Sequence, residues 1–386
     1  MAALGQILDR LGPGWTHVLQ APERLRLQIC LTPLSRAGMS LNAPTETFRA
    51  DAEYFYPAST VKLLAALCVL RRVRALRAQG GAWSGFSLDT PLAFFPENAE
   101  PITADDTNLE GGELTLRHCI RRALIVSENP PHNRLYEFLG HEGINAELQG
   151  LGFTGCVINH RLDDVRSPEQ QRTTPRIVAM LRDGSRLEIP HRVGAVLPYP
   201  RDVRQTRIGS AFFRDGVRIE GPMDFAAVGE EKNRVRLSDL HALICRLHPR
   251  GSPAEHDAAA RDLQLASEDL SFLHECMTIL PRASVNPRYD ADQYPDDYAK
   301  PMLPGVHAVD PNARITNKLG WAYGFVTDTG VLWNTAGDAF ALSFSLWACA
   351  GGVLGNDDYE YDSVAKVFAA DLARAAAAHL WESKVR

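Results

Sequence analysis

The chain has 386 residues, 45% of them hydrophobic and 23% charged, with a formal net charge of -6. Such a composition suits a globular protein of one large or two modest domains, with apolar content enough for a sizeable core. The acidic balance excludes the basic face of a nucleic-acid binder, and apolar runs such as Leu63 to Leu70 fall far short of the ~20 residues that span a bilayer.

The seven cysteines (Cys30, Cys68, Cys119, Cys156, Cys245, Cys276, Cys349) are scattered, with no C-x-x-C pair or Cys/His cluster. Neither a disulfide framework nor a zinc site is expected, and no cofactor is implied. The N-terminal stretch MAALGQILDRLGPGW lacks a basic start followed by an apolar segment. A cytoplasmic protein is the expectation, with a periplasmic or secreted location open if an export signal has been trimmed.

In chain order, Leu4 to Leu11 predicts a short helix stopped by Gly12 and Pro13. Arg24 to Pro33 alternates as a strand, with Leu41 to Asp51 as its hairpin partner. From Pro57, STVKLLAALCVLRRVRALRAQ has apolar residues at three and four spacing and arginines on the other face, a helix that stops at Gly80-Gly81. Leu114 to Ser127 and His132 to Gly140 predict two more helices, and Thr173 to Arg182 another, from its Thr cap and early proline. Leu187 to Gly229 is Arg-, Gly- and Pro-rich with strand-like pieces, while Ser238 to Leu247 and Glu268 to Ile279 predict helices. After a loop over Asn286 to Pro311 come strands Ile315 to Thr327, Val331 to Asn334 and Ala339 to Ala348, with a turn at Asp328-Thr329-Gly330. A long Ala-rich helix from about Asp357 to Trp381 closes the chain.

This order predicts an α+β fold. Residues 1–56 and 312–386 would form an antiparallel sheet flanked by N- and C-terminal helices, 57–184 a helical lobe, and 185–311 an insert extending that lobe. A cleft between two such lobes is a common ligand site.

Three short motifs could carry chemistry. Ser59-Thr60-Val61-Lys62 opens the strongest helix. A spacing of three puts both side chains on one helix face. A serine attacks once a base removes its proton, and a lysine can be that base if burial or a second cation lowers its pKa. Alone the pair is weak, since Ser363 to Lys366 is a second copy inside the last helix. Ser127-Glu128-Asn129 ends a helix before Pro130-Pro131, and its hydroxyl and amide could pass a proton and hold a carbonyl. In isolation a plain helix-terminal turn is the better reading, because Ser40-Leu41-Asn42 and Ser284-Val285-Asn286 also fit. Lys318-Leu319-Gly320 is the only K-x-G in the chain. Its lysine interrupts an apolar strand, either as a guard at an exposed edge or as a group facing a ligand.

In the order S-x-x-K, S-x-N, K-x-G, and with two of only six lysines among them, the motifs resemble those of the penicillin-recognising serine enzymes, most nearly the class A serine β-lactamases. YFYPASTVKLLAALCVL resembles the nucleophile segment, LTLRHCIRRALIVSENPPHNRLYEFLG the second-motif region with Asn133, and NKLGWAYGFVTDTGVLWN the third. The likeness spans residues 1–184 and 314–386. It implies a β-lactamase/transpeptidase-like fold and a serine hydrolase that forms an acyl-enzyme on Ser59. Lys62 would be base or proton relay, Ser127 the shuttle to the leaving group and Lys318 the anchor of a substrate carboxylate. Asn129 would bind a substrate amide. Gly320 would admit substrate to the strand, and the N–H groups of Ser59 and Trp321 would form the oxyanion hole. The implied partner is a small-molecule or peptide-like acyl substrate, with neither nucleic acid nor membrane involved and the oligomeric state open.

Three departures from the pattern stand in the sequence. Leu319 replaces the usual hydroxyl residue of the third motif. Arg166 falls where the deacylating glutamate is expected, leaving Asp163, Asp164, Glu169, Glu230 and Glu231 as candidate bases. A large insert lies between Gly184 and Asn312. They argue against tight penicillin binding and leave three readings: a lactam, amide or ester hydrolase; an esterase, peptidase or acyltransferase for another acyl substrate; or an inactive binding protein of the same fold.

Overall fold

The computed structural model describes residues 3–34, 44–248 and 253–382. The chain folds into two compact units, one of residues 1–60, 200–259 and 297–386, the other of 61–199 and 260–296.

The first unit is built on a five-stranded antiparallel sheet. Its order is Arg314–Ala322, Phe325–Trp333, Ala339–Trp347, Gln28–Leu34 and Glu46–Phe48. Residues 41–43 of the expected hairpin partner lie outside the described residues. The strand Ala339–Trp347 shows how period-two alternation fixes both faces. Phe340 and Phe344 point to one side, where they meet Trp381 and Phe368 of the closing helix Lys366–Glu382. Trp15 packs edge-on against the same Phe368, bringing the N-terminal segment to that side. Ser343 and Ser345 point the other way and pair with Thr329 and Thr327 across the strands. That polar face is covered by the helix Leu237–Leu247, whose buried His241 bridges Thr32 and Ser343 at 2.8 Å each. Burial pushes this imidazole down to about 4, so it sits neutral between two hydroxyls.

Two sequence expectations change here. The turn foreseen at Asp328-Thr329-Gly330 lies inside the continuous strand Phe325–Trp333, and the chain reverses instead at Tyr323-Gly324. Both turn residues have positive φ, 53° and 80°, as a two-residue hairpin that follows the strand twist requires. Asp328 is tolerated mid-strand because Asn317 hydrogen-bonds both of its carboxylate oxygens. The insert 185–311 is also divided: 200–259 clusters with the sheet, 185–199 and 260–296 with the other unit, and 297–311 with the sheet again. The Leu237–Leu247 helix accounts for part of this, since its apolar face and His241 are satisfied on the sheet.

The second unit centres on the helix Val61–Ala78. Its first ten residues are buried all round, and only from Arg71 onward does a solvent face open. Around it pack the helices Leu116–Ile125, Asn129–Leu139, His141–Gly150 and Ser267–Thr278. The segment Thr173 to Arg182, expected as a helix, forms strands Thr173–Thr174 and Arg176–Met180. Its run of β-branched residues (Thr173, Thr174, Ile177, Val178) favours a pleated surface over the cap-and-proline signal. Leu92–Phe95 and Arg186–Ile189 flank it in an antiparallel three-stranded sheet.

Phe344→Ala should destabilise the first unit by about 3–5 kcal/mol, the cost of emptying a fully buried aromatic site, read as a lower urea midpoint. A midpoint within error of wild type would place Phe344 outside the core.

Candidate active site

In the first unit Ser59 lies in the single turn Ala58–Thr60. Pro57 carbonyl accepts from Thr60 N–H at 3.0 Å and from Thr60 hydroxyl at 2.8 Å, so the turn is tied at its base. Ala58 is held at φ 45°, a conformation L-residues seldom adopt and one that needs support from its surroundings. The support comes from the strand Arg314–Ala322. A Cβ at Gly320 would lie 2.5 Å from the Pro57 carbonyl oxygen and 2.8 Å from the backbone nitrogens of Ser59 and Thr60. Only glycine lets strand and turn approach this closely.

The hairpin register adds a donor at this edge. Ala322 pairs with Phe325 across the two-residue turn. Hydrogen-bonded pairs alternate along an antiparallel ladder, so Gly320 and Lys318 bond across to the neighbouring strand. The N–H groups of Leu319 and Trp321 then point to the open edge, because this strand is the last of the sheet. The Trp321 ring is half-buried, stacked on Tyr361 and edge-on to Tyr298.

Lys318 is 1% exposed, and its Nζ donates to the Leu319 carbonyl at 2.7 Å. It is no edge guard in solvent. Burial pushes its pKa down to about 7, opposed by Asp328 and reinforced by Lys300. Leu319 is itself buried at 3%. Sequence reasoning missed Lys300, in a stretch read as loop, and Asp328, assigned to a turn. Reading FVTDTGVLW as one unbroken alternating strand would have exposed Asp328 as a buried acid needing partners.

In the second unit Lys62, fully buried, joins the other motif. Its Nζ donates to Asn129 Oδ1 at 2.7 Å, to Ser127 Oγ at 3.2 Å and to the Ser127 carbonyl. Ser127 bends the chain at φ 69°, which turns its carbonyl and hydroxyl toward one amine. Glu128 between them faces Arg122 in an ion pair, and Tyr289 hydroxyl donates to it at 3.2 Å. Arg122 in turn reaches Asp105 at 2.6 Å. This chain of charges holds the turn, and neither Arg122 nor Tyr289 was singled out from sequence. Asn133 makes a two-way bond with Leu162, fixing the start of the loop that follows.

The five candidate deacylating carboxylates are surface groups or already paired. Asp163, Glu169 and Glu231 are exposed. Asp164 holds Arg166 at 2.8 Å, and Glu230 holds Arg214 at 3.0 Å. The second S-x-x-K copy differs from the first in burial: Ser363 is exposed, and Lys366 pairs with Asp362 at 2.6 Å. Among the described residues there is no metal-binding cluster of His, Cys, Asp or Glu, and no helix long and apolar enough to cross a membrane.

Known proteins share this fold. Residues 37–183 match a family model described as the β-lactamase enzyme family. Among solved structures, a β-lactamase from Sphaerobacter thermophilus aligns at 14% identity over 97% of each chain, TM-score 0.52. A penicillin-binding protein, PBP-A, solved as an acyl-enzyme complex with penicillin G, aligns at 13% identity over 98% of this chain and 96% of its own, TM-score 0.54. A variant of a reconstructed ancestral class A β-lactamase of Gram-negative bacteria aligns at 16% identity over 99% and 100%, TM-score 0.51. The shared property is the β-lactamase/transpeptidase-like fold. Curated protein sequences give no match.

Gly320→Ala should leave the protein folded but push the Ser59 turn away, lowering acylation by roughly 10²–10³-fold, the scale of losing an oxyanion donor. Measured acylation within a few-fold of wild type would show that the close approach is unnecessary.

Proposed function

We propose that this β-lactamase-like protein is a serine hydrolase that forms an acyl-enzyme on Ser59. The observation that carries the reading is the wholly buried Lys62 amine bonded to Ser127 and Asn129. An amine buried in this way is costly to charge unless its environment serves it, and three residues before it in the chain stands the serine of the turn fixed by Gly320.

In this reading Ser59 Oγ attacks a carbonyl carbon while its proton passes to the Lys62 amine. The negative charge that develops on the carbonyl oxygen is met by the N–H groups of Ser59 and Trp321. Collapse of the tetrahedral intermediate breaks the bond to the leaving group, which takes a proton through Ser127. Asn129 holds a substrate amide, and Lys318 takes a carboxylate. Water then cleaves the ester on Ser59.

That last step separates the possible substrates. Each carboxylate considered for activating the water is solvated or paired with arginine, so a stable acyl group would persist on Ser59. Leu319 also offers no hydroxyl to a substrate carboxylate. These observations favour a labile ester or thioester, or transfer of the acyl group to another acceptor, over rapid lactam hydrolysis. A binding protein of the same fold is the competing reading, and covalent chemistry separates the two.

With a chromogenic activated ester, pre-steady-state kinetics should show a burst followed by slow turnover. Lys62→Met should slow the burst by about 10²–10⁴-fold, the usual scale of general acid–base catalysis. Ser363→Ala should behave as wild type, since that serine is a surface residue. A burst unchanged in Lys62→Met would remove the lysine from the mechanism.

A further inference from the structure

We propose that the strand Val217–Glu220 is a docking edge for a second copy of this chain, paired antiparallel to itself with Arg218 opposite Glu220. The surface belongs to the insert between Gly184 and Asn312, and the inference is independent of the reaction at Ser59.

The edge is the outer strand of a small sheet in the first unit. Ala211–Arg214 and Val217–Glu220 pair antiparallel, with Arg214 opposite Val217, Phe213 opposite Arg218, Phe212 opposite Ile219 and Ala211 opposite Glu220. Asp215-Gly216 joins them, both residues at positive φ, 51° and 75°, as a two-residue turn that follows the strand twist requires. Ala211–Arg214 pairs on its far side with Val353–Leu354, so Val217–Glu220 is left at the margin. Among the described residues no further strand pairs with it, and Val217, Arg218 and Glu220 are exposed.

The turn decides which backbone groups this margin offers. The two residues that flank such a turn exchange both hydrogen bonds, and bonded and non-bonded pairs alternate from there. Arg214–Val217 and Phe212–Ile219 are therefore bonded pairs. The Gly221 N–H, donating to the Ser210 carbonyl at 2.8 Å, continues the series. Arg218 and Glu220 fall between these pairs, so their N–H and C=O groups point out to the open edge. Such a row of outward groups is a template for another strand.

Self-pairing about a twofold axis makes the two copies of the edge equivalent. Setting Arg218 against its own copy, or Glu220 against its own, places like charges directly across the strands, which is unfavourable. Setting Arg218 against Glu220 of the partner subunit joins the outward groups of both residues, with two hydrogen bonds in each of two symmetry-related pairs. It also places opposite charges side by side on one face. Arg218 and Glu220 already bridge within one chain at 2.8 Å, so each would exchange a neighbour for that neighbour's copy. On the other face Ile219 meets Ile219 of the partner subunit in a non-bonded pair, where side chains lie closest, and Phe212 stands beside it across the hairpin. Hydrogen-bond pattern and charge thus select the same register. The strand has no proline, lysine or bulge to keep other edges away. Gly221, at φ 101°, and Pro222 end it, so the contact is short and the dimer weak and reversible.

Sedimentation velocity on the full chain over a concentration series tests the proposal. The expected result is a sedimentation coefficient that rises reversibly with concentration, from that of a monomer toward that of a dimer. Arg218→Glu and Glu220→Arg should each abolish the rise, because each opposes like charges across the axis. An equal mixture of the two variants should restore it, since opposite charges then face each other in both pairs. Circular dichroism spectra like that of wild type would exclude unfolding as the cause of the loss. A monomer at every concentration overturns the proposal and leaves the edge to an extended segment of another protein. A dimer that survives both substitutions, or variants that stay monomeric when mixed, overturns it as well.

Discussion

The close approach at Gly320 is the constraint from which the candidate site follows. Because position 320 carries no side chain, the edge strand lies against the backbone nitrogens of Ser59 and Thr60. That contact holds Ala58 in its unfavourable conformation and keeps the serine turn from relaxing into a regular helix start. The same strand turns its Leu319 and Trp321 amides to the open edge. One missing Cβ thereby couples the position of Ser59, the proposed nucleophile, to that of the Trp321 amide, the proposed oxyanion donor. Loops alone seldom fix such geometry. Here the edge strand is the outer member of a three-stranded meander whose innermost strand packs Phe340 and Phe344 on the closing helix.

Buried amines are the second organising feature. Lys62, Lys300 and Lys318 are all withdrawn from water, where a charged ammonium is costly and a neutral amine is not. Each has its own solution. Lys62 donates to the oxygens of Ser127 and Asn129, Lys300 to the Asn317 side chain, and Lys318 to the Leu319 carbonyl. Carbonyl and amide oxygens satisfy an amine in either protonation state, whereas an ion pair would lock it charged. Such surroundings suit groups that must exchange protons or accept a substrate anion.

Much of this was legible in the sequence, because the signals were local. The helix opened by Ser59 to Lys62, the two helices around Ser127 to Asn129, and the late strands follow from apolar periodicity and glycine placement. What was not legible depended on distant partners. Asp328-Thr329-Gly330 looks like a turn until Asn317 is seen to satisfy the acid. Thr173 to Arg182 carries helix punctuation yet becomes strand, because Leu92–Phe95 and Arg186–Ile189 supply a sheet to join. Lys300 gave no sign at all, since its partner Asn317 lies 17 positions later in the chain. The Arg122, Glu128 and Tyr289 chain escaped for the same reason.

The account stands most directly on where an acyl group attaches. Peptide mapping by mass spectrometry, after brief exposure to an activated ester and acid quenching, would locate it. The account predicts a single acylated serine, Ser59, with Ser127 and Ser363 unmodified and no adduct in Ser59→Ala. Acylation elsewhere that persists in Ser59→Ala would contradict it, and the turn held by Gly320 would then be a structural feature alone.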